Sequence, residues 1–290
     1  MEGCRFALVS LDAVQTLYKL YRFRGDMLGV FPIRPAPSPS SPRPAAQRPS
    51  LRDPSPHAVA PLPAAPPLQP LSADFAAFDH PIFSESLRRI RALLAEQPQP
   101  FALDPLPQAE QDVVLRLIHS AGDITLAADL RWSPDACLAG LTALAAGATI
   151  LTDTAMAAAA VAPMARRTFH NSVRSVLEWA PATAPTGSTR TAAGMERALT
   201  ELSSAVVLIG SAPTALEQLL ELVASGAALP PALVIGMPVG FVGVAESKRH
   251  LAASGLAQIR LEGSRGGAGL VAAAANALLR RAWLDQAARG

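Results

Sequence analysis

Arg116 and His119 stand three residues apart in a stretch whose apolar residues, Val113, Val114, Leu117 and Ile118, recur at helical spacing. The two side chains therefore share one helix face. A guanidinium grips carboxylate or phosphate oxygens, and an imidazole gives or takes a proton near neutral pH. His119 also falls in the last turn before Gly122, where a histidine serves as a cationic partner for the helix dipole. The pattern supports both readings, proton donor and dipole partner.

Other residues have types and positions suited to anions. Arg190 follows Thr189 at a second helix start, placed to reach a bound anion or to face solvent. Glu246-Ser247-Lys248 lies near the start of a third helix; Glu246 favours the positive helix end, and Lys248 reaches an anion or solvent. The run Gly263-Ser264-Arg265-Gly266-Gly267-Ala268-Gly269 opens the last helix, where free N–H groups favour a phosphate or a carboxylate and Arg265 adds charge. This run lacks the G-K-[ST] ending of a Walker loop and the G-x-G-x-x-G fingerprint. Its glycines equally suit close packing of a helix on the last strand. No G-x-S-x-G elbow occurs, so the marker of a hydrolase triad is missing. His57, His80, His170 and His250 have no histidine, cysteine or carboxylate at metal-ligand spacing, and no metal site is expected.

The elements that must position these residues are helices and buried strands. Helices are expected over Ser84–Glu96, over Pro107–Ser120, and from a Ser133 cap through Pro134 to a stop at Gly147. Strand–helix alternation then begins. Thr149–Thr152 precedes a helix from about Asp153, and Ser172–Leu177 precedes a loop and a helix from Thr189. Two βα units follow, 205–226 and 232–255, each with a short apolar run, a glycine–proline turn and a helix stopped by glycine. Ser211 is available to cap the helix that Pro213 begins. Strand Gln258–Glu262 and an alanine-rich helix to about Leu284 complete the pattern. The expectation is an α/β fold: a doubly wound, mainly parallel five-stranded sheet with helices on both faces. Ligands of such sheets bind at the carboxyl ends of the strands, where the turns at 210–214 and 236–240 lie.

Residues 1–31 carry apolar residues at helical spacing and read as a helical extension or as residues ahead of the true start. Proline makes up 14 of the 39 residues from Pro32 to Pro70. That density excludes helix and central strand, so the segment reads as a disordered, partly extended linker. The folded domain is expected from Leu71 to the end. Over the 290 residues, half are hydrophobic and the formal net charge is +2. No basic stripe interleaved with aromatics appears, so nucleic acid is not an expected partner. No apolar run is long enough for a membrane span. Cys4 and Cys137 are far apart and read as reduced thiols of a cytoplasmic protein.

Five blocks occur in one order: Arg116-Leu-Ile-His119-Ser-Ala-Gly-Asp123; Thr189-Arg190-Thr-Ala-Ala; Gly210-Ser-Ala-Pro-Thr-Ala-Leu216; Gly236-Met-Pro-Val-Gly-Phe-Val-Gly243 with Glu246-Ser-Lys248; and Gly263-Ser-Arg-Gly-Gly267 with Asn276-Ala-Leu278. Together they resemble the precorrin-8X methylmutase family of cobalamin synthesis, over about residues 78–284. The proline–phenylalanine–glycine block is the most specific piece.

The resemblance implies a cofactor-free isomerase that is a homodimer with active sites near the subunit interface. It implies a methyl shift from C11 to C12 of precorrin-8X, giving hydrogenobyrinic acid, or the same shift on the cobalt-containing macrocycle. His119 matches the family's catalytic histidine. The residues it assigns to substrate are Ser86, Arg116, Arg190, Ser211, Thr214, Gly240, Lys248, Gly266 and Gly267. Where the family pattern reads G-N-A-P-T-A-L this chain has Ser211, and where G-G-S is commoner it has Ala268. Those departures keep open a second reading, a non-catalytic tetrapyrrole carrier that hands its ligand to the next pathway enzyme. A third reading is a nucleotide-dependent α/β enzyme using the glycine loops.

Overall fold

The computed structural model describes residues 78–99 and 101–289. The expectations for residues 1–31 and 32–70, and the domain start at Leu71, lie outside the described residues.

Buried apolar runs form the strands β2 (Ile150–Thr152), β3 (Val173–Ser175), β4 (Val206–Ile209), β5 (Leu233–Gly236) and β6 (Gln258–Leu261). All pair in parallel, in the order β3-β2-β4-β5-β6. The sheet has six strands where the sequence predicts five. The addition is β1 (Leu130–Trp132), antiparallel to β6, with Leu130 opposite Leu261 and Trp132 opposite Ile259. A three-residue edge strand with an exposed arginine at its centre has no alternation to read.

Side chains of the central strands alternate between two cores. Val206, Leu208, Leu233 and Ile235 face one, and Val207, Ile209 and Val234 face the other. The first core is covered by α1 (Pro81–Ala95), α2 (Gln108–Ala121), α4 (Ala136–Ala145), α5 (Ala155–Arg167) and α9 (Ala268–Ala287), with the one-turn α3 (Leu126–Asp129) at its edge. The second is covered by α6 (Arg190–Glu201), α7 (Pro213–Ala224) and α8 (Val244–Ala253). Helices on both faces make the sheet doubly wound, as expected. Residues 271–279 of α9 are buried all round, and their alanines let α9 lie close to α2 and α5. Among the described residues no helix is long and apolar enough to cross a membrane.

Several boundaries differ from expectation because polar side chains found other partners. Ser133 does not cap α4; its Oγ accepts from the Gln258 N–H, and α4 starts after Asp135 in a left-handed conformation (φ 59°). The first helix starts at Pro81 rather than Ser84, because His80 Nδ1 accepts from the Ile82 N–H. Beyond Ser175 the chain leaves the sheet for a 3-10 turn, Val176–Glu178, closed by a capping box between Ser175 and Glu178. Thr154 and Thr189 cap α5 and α6 as threonines do.

The chain moves from β2 outward to β3 and then returns to the other side of β2 with β4. The point of reversal opens a crevice at the carboxyl ends of β2 and β4. Asp153, directly after β2, fills it. One carboxylate oxygen accepts from the N–H groups of Gly210 (3.1 Å), Ser211 (2.6 Å) and Ala212 (2.8 Å). Ser211 is therefore held by its backbone and does not cap α7, whose N-cap is Ala212. Burial raises the Asp153 pKa, against the pull of these donors. Replacing Asp153 by alanine strands three N–H groups. The expected cost is about 3 kcal/mol, read as a fall of about 9 °C in the thermal midpoint followed by circular dichroism.

Candidate active site

The helix face read from the sequence is completed by α1. Its Ser86 Oγ lies 2.7 Å from Nδ1 of His119 on α2. Phe83, one turn before Ser86, packs against the His119 imidazole at 5.0 Å with the ring planes at 87°. The Arg116 guanidinium stands 4.7 Å from the centre of the same Phe83 ring. Ser86, Arg116 and His119, chosen from the sequence, thus meet at one place.

Ion pairs fix the two helices. Asp79, just before α1, receives Arg280 of α9 through Nε at 2.9 and 3.0 Å and through Nη2. Arg280 also reaches Asp112 of α2 at 3.4 Å, and Arg281 reaches it at 3.6 Å. Asp112 is buried, which pushes its pKa up, while the flanking Gln108 and arginines pull it down. Beyond the far end of α2, Arg265 pairs with Asp123 at 2.8 Å and with Asp129. The His119 end of α2 is thereby tied to the glycine-rich loop.

His119 lies in the last turn of α2. Its Nδ1 is engaged by Ser86 rather than by a terminal carbonyl, and its pKa is lowered, first by burial and then by the Arg116 charge. A helix C-terminus would raise it. A serine donating to Nδ1 leaves the proton of the neutral ring on Nε2, the nitrogen with no partner among the described residues. Arg116 makes no ion pair among the described residues, and its buried Nε has no hydrogen-bond partner. Its pKa too is lowered by burial and by Arg280.

The glycine loops form a backbone lattice at the carboxyl ends of β4, β5 and β6. Val239 N–H donates to Gly210 O (3.1 Å), Gly240 N–H to Ser264 O (3.1 Å) and Gly267 N–H to Met237 O (2.9 Å). A Cβ on Gly266 would lie 1.9 Å from Met237 O, so glycine is required there for close approach. Lys248 does not reach outward as the sequence reading had it. It is buried, and its ammonium donates to Gly263 O (2.8 Å) and Arg265 O (2.7 Å). Burial brings its pKa down to about 8. Nor does Arg265 offer its charge to an anion, since Asp123 and Asp129 neutralise it. What the loop presents is backbone: the N–H groups of Ala268 and Gly269 at the start of α9 have no backbone partner.

Arg190 and Thr214 lie at the starts of α6 and α7, also beyond strand carboxyl ends. Thr189 Oγ1 is 2.8 Å from Thr214 Oγ1, and exposed Arg190 donates through Nε to Pro181 O at 2.8 Å. No hydrogen bond or ion pair joins this pair of helix starts to His119. The sequence reading missed Phe83, Asp79, Arg280 and the role of Asp153. Only Asp153 left a signal, an acid directly after a buried strand.

The family model of precorrin-8X methylmutase matches residues 81–281, and thus spans α1, α2 and every strand. The chain belongs to the precorrin-8X methylmutase family. A cobalt-precorrin-8 methylmutase of Synechocystis is 36% identical over 221 residues, 71% of this chain and 98% of that protein. A precorrin-8X methylmutase of Pseudomonas aeruginosa is 46% identical over 178 residues, covering 60% and 85%. The crystal structure of a precorrin-8X methylmutase from Thermus thermophilus superposes with a TM-score of 0.61 at 37% identity, over 70% of this chain and 96% of that one. Methylmutases are isomerases. Ser211 is held in its turn through the backbone N–H, which donates to Asp153.

Arg116 disfavours the imidazolium form of His119, so its removal must raise the His119 pKa. Arg116→Gln is expected to move the midpoint upward toward the ordinary 6.5, read by NMR titration of the ring protons.

Proposed function

We propose that this chain moves a methyl group from C11 to C12 of precorrin-8X, or of its cobalt-containing counterpart, with His119 as the acid. The observation that supports this is the Ser86–His119 contact of 2.7 Å beside an arginine without a carboxylate partner among the described residues. In the shift the methyl bond to C11 breaks as the bond to C12 forms, so product and substrate have the same composition. The protein needs no nucleophile and no oxidant for this. It needs a donor against the macrocycle's nitrogen system that biases its electrons. With Ser86 donating to Nδ1, Nε2–H is that donor, and the lowered pKa keeps the ring in this neutral form.

The macrocycle carries acetate and propionate side chains, and the groups that suit them are distributed around the carboxyl end of the sheet. Arg116 and Arg190 grip carboxylates as guanidinium forks. Ser211, Thr214 and the backbone at Gly240, Gly266 and Gly267 supply further donors at helix starts. Lys248 acts through the loop it holds and not by contact. Relatives bear both the cobalt-free and the cobalt-containing name, and the cobalt is part of the substrate in the second case. We also infer a homodimer; the loop after β5 exposes Phe241 (96%) and Val242 (82%), apolar surface that suits a subunit contact.

The test is an absorbance time course with precorrin-8X and, in parallel, its cobalt-containing counterpart. Conversion is expected with the wild type, and His119→Ala is expected to lose about a thousandfold in kcat while still binding. Full turnover by His119→Ala removes the assignment of the acid. A stable bound spectrum with neither macrocycle converted supports the carrier reading instead. Arg190→Ala is expected to raise KM about tenfold with little change in kcat, as for a uniform binding contact.

A further inference from the structure

We propose that Phe83 is a positioning residue: its ring holds the Arg116 guanidinium and the His119 imidazole in register, and leaves the Arg116 donors free for a substrate carboxylate. The proposal rests on the functional reading above.

An arginine beside an active imidazole is usually oriented by a carboxylate, which would occupy the donors that a ligand needs. Here three acids of this region are engaged elsewhere. Asp79 holds Arg280, and Asp112 lies between Arg280 and Arg281. Glu85 on α1 is claimed by Arg88 (2.8 Å) and Arg89 (2.7 Å), which hold its carboxyl down at about 2. What orients Arg116 is the Phe83 ring, 4.7 Å from the guanidinium carbon. A cation is attracted to a π face without using any N–H. Arg280, fixed by Asp79, also lies within reach of the ring at 5.8 Å. Arg116 and Arg280 repel one another, and the Phe83 ring lies within reach of both.

The same ring packs against His119 at 5.0 Å. Phe83 and Ser86 are one helical turn apart on α1, so one face of α1 brings both the Ser86 Oγ to Nδ1 and the apolar contact to the ring. Rotation of α1 would move both together. Anchoring falls to the Asp79–Arg280 pair at the helix start. Of the charged groups around this cluster, Arg280 of α9 is paired with Asp79, and Glu85 of α1 with Arg88 and Arg89. Only Arg116 lowers the His119 pKa, along with burial.

The experiment compares Phe83→Leu, which keeps apolar bulk and helix propensity but has no π face, with Phe83→Tyr, which keeps the face. Phe83→Leu is expected to raise KM about tenfold and lower kcat about fivefold. It is also expected to raise the His119 midpoint by about half a unit in an NMR titration of the free protein, as Arg116 swings away and the imidazole gains solvent. Phe83→Tyr is expected to restore all three, and both variants should melt within about 3 °C of the wild type. Should Phe83→Leu fail to fold, Phe83→Met takes its place. Unchanged KM and midpoint in a folded Phe83→Leu protein overturn the proposal, as does a Phe83→Tyr that restores neither. If the wild type converts no macrocycle, the functional reading falls, and the NMR midpoint alone still decides whether Phe83 positions His119.

Discussion

A carboxylate that accepts three consecutive backbone N–H groups joins the two halves of this sheet. Asp153 leaves β2 and meets the turn after β4 at the point where strand order reverses. Those N–H groups precede α7 and have no helical acceptor of their own. Without Asp153 they would need water in a buried crevice. With it, the turn is fixed, Val239 can bond to Gly210 O, and the loops after β5 and β6 stack on in sequence through Gly240–Ser264 and Gly267–Met237. The glycine at 266 permits that stacking, since any side chain would strike Met237 O.

The cluster around His119 lies outside that lattice, on helices. His119, Arg116, Ser86 and Phe83 come from α1 and α2, packed on α9, and not from strand ends. Helices so placed are located by charge pairs at their ends: Asp79–Arg280 before α1 and Asp123–Arg265 after α2. The second pair connects the helical layer to the lattice. Loop ordering by Lys248 and end-fixing by Arg265 thus serve the same purpose, which is to keep the His119 end of α2 against the glycine loop.

Both cations were legible as residues suited to anions, and both are taken up by partners within the chain. Their spacing along the chain does not reveal this, because the groups that satisfy them are distant. Arg265 is met by Asp123 and Asp129, more than 130 residues earlier. Lys248 is met by carbonyls of the next loop. Arg116 illustrates the converse. It resembles any helix-surface arginine in sequence, yet its guanidinium packs on the Phe83 ring and its buried Nε has no hydrogen-bond partner among the described residues.

Local chemistry determined much of this protein from the sequence alone. Apolar runs bounded by glycine and proline located the five parallel strands, threonines at 154 and 189 capped their helices, and i, i+3 spacing put Arg116 beside His119. Ordered motifs identified the family. These signals act within a few residues, where backbone geometry and side-chain period suffice. The tertiary structure alone decided which charges stay available, where Ser133 and Ser211 direct their bonds, that β1 joins the sheet, and that Ser86 and Phe83 lie on His119. Each of these depends on a partner far along the chain, and competition among such partners is settled only when the cores close and bring them within hydrogen-bond distance.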